Sequence, residues 1–211
     1  MIDPVAQPTE LADLQGAWRR EGRSLSDAPS VERAEVVWLQ AGRHFCDLRT
    51  PYPQMDPTHV LDQPQAFSGT VRLDAGSISF HHDLDSLRRD PAHPDEGTVH
   101  RKGNVMIERG PGFEERWVVM SSPEDEVGLA EARSGANDAP VARLIRIGSV
   151  ALAVWGGATA GGAQFTLDKN WQRERSLHDE ESALEVAVAA RRMGRGEPLP
   201  EGWGVLEPGE V

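Results

Sequence analysis

Three side chains in this sequence have the chemistry to move protons: His44, His82 and Glu115. Histidine titrates near neutrality, and a carboxyl group withdrawn from water beside it can take or give a proton at pH 7. Were the fold to bring the three together, isomerase, hydratase or lyase chemistry would be available without a cofactor. A second set, Trp38, Gln40, Phe80 and Trp117, has the make-up of a binding pocket, large aromatic surfaces with a sparse polar group. Each residue also has a plainer reading. Gln40 and His44 would be satisfied core residues, Glu115 would pair with an arginine such as Arg20 or Arg116, and the rings would fill a core without a void. Cys46 is the single cysteine, so neither an intrachain disulfide nor a cysteine-based zinc site can form. As a nucleophile it would need a base such as His44; a small buried apolar residue is the simpler reading. Two histidines and a carboxylate would suit iron or zinc, but the H-x-H and H-E-x-x-H spacings are lacking. His81 and His82, adjacent on a strand, point apart. No metal and no cofactor is expected.

The elements that must position these residues are strands. Glu35 to Thr50 (EVVWLQAGRHFCDLRT) reads as one long strand ended by Pro51 and Pro53. Side chains alternate with a period of two, so one face carries Val36, Trp38, Gln40, His44, Cys46 and Leu48. The other ends in Arg43, Asp47 and Arg49, which reads as a solvent-facing or rim segment. Phe67–Leu73 and Ser77–Leu84 form a hairpin about Asp74-Ala75-Gly76, with Ile78, Phe80, His82 and Leu84 inward and His81 outward. Further strands are expected at 97–102, 105–109 and 113–120, the last with Phe113, Glu115, Trp117 and Val119 on one side. Two more surround Gly148-Ser149 within 141–155, and a last one is expected near Trp203.

Helical signals are few. A short helix after Pro8, capped by Thr9, would place Leu11 and Leu14 on one side. Residues 176–193 read as the main helix, acidic at its start, with Arg191-Arg192 at its end. Its stripe would be Leu177, Leu184, Ala187 and Val188, and Gly194 and Gly196 would stop it. Residues 1–10 read as a loose arm, 52–64 as a proline-dotted loop able to cover an opening, and 121–140 as a charged loop. Gly156 to Gly162 (GGATAGG) lacks the lysine of a Walker loop and precedes no helix, which leaves close hairpin packing. No G-x-S-x-G elbow is present. Many short antiparallel strands and one helix describe a mainly β chain, a barrel or sandwich with a C-terminal helix packed outside. All 211 residues are expected to form a single β-barrel domain.

Charge narrows the partners. A net charge of −12, spread along the chain, argues against nucleic-acid and anionic-membrane binding, which need basic patches. Mean hydropathy is −0.48, and no apolar run approaches the ~20 residues of a transmembrane helix. The first residues lack the basic-then-apolar order of a secretory signal, so the cytoplasm of a bacterium is the expected compartment. The 21 glycines and 15 prolines supply turns, and the six tryptophans fill an interior or stack on a ligand. Oligomeric state is not legible.

The order of motifs LQGAW, VVWLQAGRHFCDLRTP, AFSGTV, SISFHHDLD, DEGTV and FEERW resembles that of uncharacterised bacterial proteins with a lipocalin-like (calycin) barrel. A fungal family of the Hri type is more distantly similar. The resemblance spans roughly Leu14 to Met120, and the helix near Ser176 also fits. It implies a closed or nearly closed antiparallel barrel whose interior holds one small ligand, and it implies no particular reaction. The functional expectation is therefore a barrel that binds a small apolar or aromatic molecule. The alternative is an acid/base enzyme using His82 and Glu115, with His44. A protein-interaction domain is compatible with the acidic surface.

Overall fold

Eight strands in succession close on themselves: β1 (Gly16–Leu25), β2 (Ala34–Ala41), β3 (His44–Pro51), β4 (Gln65–Asp74), β5 (Ser77–Asp85), β6 (Asp95–Lys102), β7 (Val105–Gly110) and β8 (Phe113–Val119). Each is antiparallel to the next, and β8 returns to pair with β1. In this computed structural model of the chain, the described residues are 10–25, 32–53, 64–87, 94–121, 124–133, 138–156, 160–166, 172–177 and 180–207. The side chains of 172–177 and 180–184 lie outside that description. The expectation of an antiparallel barrel with one C-terminal helix holds.

A second sheet covers one side of the barrel. It comprises β9 (Val127–Arg133), β10 (Pro140–Ile147), β11 (Val150–Trp155), β12 (Gly161–Thr166), β13 (Gln172–Leu177) and β14 (Trp203–Val205) in the order β13-β12-β11-β10-β9-β14. A helix, α1 (Glu180–Gly194), lies on its far face. The chain thus stacks barrel, sheet and helix, and three apolar clusters follow. Inside the barrel are Trp18, Val36, Trp38, Phe45, Met106 and Trp117. Between barrel and sheet, Val37, Leu39, Cys46 and Leu48 meet Leu129, Ile145, Leu152 and Val154. Between sheet and helix are Leu144, Ala153, Trp155 and Phe165 with Val186, Ala189 and Ala190. This layering explains the near-continuous apolar runs of β2 and β11. A strand covered on both faces has no polar face to show.

Several expectations change. The stretch expected to be one long strand folds back on itself at Gly42-Arg43, where Ala41 opposes His44 and Gly42 takes φ +54°. Glycine reaches that left-handed region at no steric cost. A two-residue turn reverses the parity of everything after it, so His44, Cys46 and Leu48 face the second sheet. Asp47 and Arg49, expected at a solvent-facing or rim segment, point into the barrel with Phe45. In β5 the register passes from Gly69 opposite His82 to Ser68 opposite Leu84, so Asp83 is an extra residue. This bulge turns Leu84 outward, into the barrel–sheet core, while Asp85 reaches His82. A matching irregularity around Glu21 lets both Arg20 and Arg23 point inward from β1.

Within the expected charged loop, residues 127–133 are strand β9, with Leu129, Ala130 and Glu131 buried. Ser176 belongs to β13, so the helix begins at Glu180. Val188 is exposed; Val186, Ala189 and Ala190 meet the sheet, with Ala187 beside them. Residues 11–14 form one 3-10 turn with Glu10 at its N-cap. The Thr9 cap, the arm at 1–9 and most of the 52–64 loop lie outside the described residues, as do the side chains of Leu177 and Leu184.

Candidate functional site

One end of the barrel is plugged. Leu14, from the 3-10 turn, is fully buried and its carbonyl accepts the Trp18 indole N–H at 2.7 Å. Trp18 stacks on Trp38 with ring centroids 6.3 Å apart, and the Arg101 guanidinium lies over Trp18 while donating to the Asp13 carbonyl. Above this plug the barrel holds a cavity of about 550 Å³. Its walls are the rings of Trp38, Phe45, Phe67, Phe80, Phe113 and Trp117. The rings meet edge to face: Trp38 with Phe80 at 5.5 Å, Trp38 with Trp117 at 5.5 Å and Phe45 with Phe80 at 5.2 Å. That geometry sets positive ring edges against negative faces.

The polar part of the lining is ionic. Glu115 accepts from Arg20 Nη1 at 2.6 Å and has Arg23 Nε at 3.4 Å. Arg20 is also engaged by Glu32, at 2.9 Å. Asp47 holds Arg49 at 2.9 Å, and that guanidinium lies 4.6 Å from the Phe67 ring centre. Glu108 Oε2 accepts the Trp117 indole N–H at 3.1 Å. Gln40 accepts the Trp38 indole N–H at 3.0 Å and donates to the Gly42 carbonyl at 2.7 Å. Burial pushes the Glu108 carboxyl up to about 8; the negative Glu115 and Asp47 add to this, against Arg49 and the indole bond. Asp47 is also raised by burial, with Arg49 opposing. Burial alone would lower Arg49, but Asp47 and Glu115 hold it above its usual range. Arg23 is lowered, first by burial.

Of the residues singled out from sequence, Trp38, Gln40, Phe80, Trp117 and Glu115 all point into the barrel. Trp38, Phe80, Trp117 and Glu115 line the cavity, while Gln40 lies deeper. Glu115 has Arg20 as its partner, one of the two arginines the sequence offered, while Arg116 pairs with Glu21. His82 is also inside, stacked on Phe67 at 4.8 Å, with Nδ1 3.0 Å from Asp85 and Nε2 3.4 Å from Asp95. Glu115 is held by arginines, so His82 and Glu115 are not hydrogen-bonded to each other. Leu48 faces the second sheet.

His44 lies on the other side of the barrel wall. The structure therefore does not gather His44, His82 and Glu115 into one site. His44 sits in the barrel–sheet layer near Arg143, and burial, then that guanidinium, lowers it to about 4. Arg143, 2% exposed, donates to Glu131, Ser68, the Gly69 carbonyl and Asp83 at 2.7 to 3.0 Å. Cys46 is buried beside Ser68, and burial pushes its thiol up to about 12, far from a nucleophile's range. Among the described residues no three His, Cys, Asp or Glu side chains are grouped to hold a metal ion. No helix of the described residues is long and apolar enough to cross a membrane.

Sequence reasoning missed Phe45, Asp47, Arg49, Phe67, Arg23 and Glu108. Gly42 held the signal for the first three, since a two-residue turn there puts Phe45, Asp47 and Arg49 on the Trp38 side. Arg23 depends on a bulge, and bulges leave little trace in sequence.

Fold and site together define an antiparallel β-barrel protein with an internal aromatic cavity. No protein-family model matches the sequence, and no curated protein does. Among solved structures, the uncharacterised protein YLR301w from Saccharomyces cerevisiae is similar, with a TM-score of 0.65 and 15% identity. The match covers 90% of this chain and 97% of that one. At that identity the likeness shows a shared fold.

Proposed function

We propose that this protein binds a small molecule with an aromatic or apolar body inside its barrel. The observation that carries this reading is the aromatic-walled cavity of about 550 Å³. Small-molecule pockets have roughly 300–1,000 Å³, mostly apolar walls and a few placed polar groups. A core built only for stability would be packed without voids larger than a water molecule. A lipocalin-like (calycin) kinship belongs to the same reading, supported by the motif order from Leu14 to Met120 and by the closed eight-stranded barrel.

The tryptophans supply the test. Trp38 and Trp117 line the cavity, whereas Trp155 and Trp203 belong to the layer between sheet and helix. Titration with 1-naphthaleneethanol, followed through the indole N–H signals by NMR, should shift Trp38 and Trp117 and leave Trp155 and Trp203 in place. Native mass spectrometry of freshly purified protein should show a retained small molecule or uptake of the naphthyl probe. No shift at Trp38 and Trp117 up to millimolar probe, with no bound species in the spectrum, would refute the reading.

A further inference from the structure

We infer that the ligand carries a protonated nitrogen on its aromatic or apolar body, and that Glu108 is the carboxylate that receives this charge. The inference rests on the cavity being a binding site and concerns what it selects. Its basis is a mismatch in the buried ion pairs. Among the described residues, the ion pairs around the cavity wall involve three cations, Arg20, Arg23 and Arg49, with Glu32, Asp47 and Glu115, and the buried Glu108 lies beside them. Each arginine is committed. Arg20 bridges Glu32 and Glu115, Arg23 lies against Glu115, and Arg49 is held by Asp47. Glu108 is the carboxyl left over. It is 8% exposed, it lines the cavity, and its partner among the described residues is the Trp117 indole N–H, on one oxygen.

An uncompensated buried carboxylate is costly, and the usual response is to keep its proton. The raised titration of Glu108 is that response. A cationic nitrogen beside Glu108 would take over the role of the proton. Glu108 would lose its proton to solvent, the ligand would keep its own, and the pair would be neutral. The surroundings favour that exchange over an anionic ligand. From β3 and β8, Asp47 and Glu115 already raise Glu108, while Asp95 and Glu96 of β6 line the same cavity. The opposing charges, Arg49 on β3 and Arg20 and Arg23 on β1, are already paired. The ring faces of Trp38, Phe80 and Trp117 present negative quadrupoles, which attract a cation and repel an anion.

The test uses three probes of one shape: 2-(1-naphthyl)ethylamine, 1-naphthaleneethanol and 1-naphthaleneacetate. Calorimetry on the full chain at pH 6.5, in two buffers of different ionisation enthalpy, gives affinity and proton uptake together. The amine should bind at least about tenfold more tightly than the alcohol, with the acetate weakest. Its binding should release about one proton, because Glu108 is protonated in the free protein and ionised in the complex. Glu108→Gln should cut the amine's advantage over the alcohol to less than about threefold and abolish proton release. Equal binding of amine and alcohol, or amine binding without proton release by the wild-type protein, would overturn the inference and leave the cavity reading intact. Tightest binding by the acetate would reverse the assigned charge. Binding by none of the three would instead count against the cavity reading itself. The wild-type measurements stand even if the variant fails to fold.

Discussion

Gly69→Ala should be among the most damaging single-methyl changes this barrel admits. Gly69 lies in β4 opposite His82, beside the bulge that inserts Asp83 into β5. A methyl group built there would sit 1.8 Å from the His81 carbonyl oxygen, 2.8 Å from its carbon and 3.0 Å from His82 Cα. All three are backbone atoms, so no side-chain rotation relieves the clash. Ordinary non-bonded contacts start near 3.5 Å, so β4 and β5 must part by roughly 1.5 Å. Overpacking of this kind costs about 1–3 kcal/mol, occasionally more. The Gly69 carbonyl also accepts from Arg143 at 2.9 Å, and weakening a charge-assisted bond adds about 1.5–3 kcal/mol. Together the loss is ~3–5 kcal/mol. For a chain of this size each kcal/mol moves Tm by about 2–4 °C. Gly69→Ala should therefore melt roughly 6–20 °C below wild type by circular dichroism. Urea titration should show a lower midpoint at unchanged slope. The same bulge sets His82 over Phe67, so the stacked His82 ring signals should shift by NMR. A variant melting within 2 °C of wild type, with the His82 signals unmoved, would refute the bulge geometry.

Two further outcomes follow from the buried charges. Arg143→Met should destabilise by ~3 kcal/mol or more in urea, since removing one partner of a buried pair strands the other. Glu131 would keep only the half-exposed Arg133, at 2.7 Å, and combining Arg143→Met with Glu131→Leu should recover part of the loss. Glu108, raised from 4.5 to about 8, holds a proton in the folded barrel that the unfolded chain releases between those values. Stability should therefore fall as pH rises through that window, and Glu108→Gln should flatten the decline in urea midpoints measured from pH 5 to 8.

Periodicity carried the reading of this chain wherever a strand ran without interruption. Trp38, Gln40, Phe80, Glu115 and Trp117 point inward as their spacing requires, and three separate strands, β2, β5 and β8, agree on one interior. The errors begin where the period is broken by a single residue. His44 lies just past the Gly42-Arg43 turn, and Gly42 is the residue in the run that marks it. Once parity reverses there, a charged Asp47 and Arg49 become interior and His44 becomes a residue of the sheet interface. Charge at alternate positions had suggested solvent; Arg43 is exposed in the turn, but Asp47 and Arg49 answer each other inside the barrel. The Arg20–Glu115 pair depends on strands far apart in sequence, β1 with β8, and no local pattern encodes it. Strand β9 of the second sheet was hidden for a related reason, although β10, β11 and β14 were expected. β9 reads as charged because Glu131 and Arg133 are prominent, but Glu131 is there to hold Arg143 between two layers. Asp47 and Arg49 pair within β3, while Glu115 takes its partner from another strand. Glu108 on β7 likewise takes its described partner, the Trp117 indole N–H, from a neighbouring strand, β8.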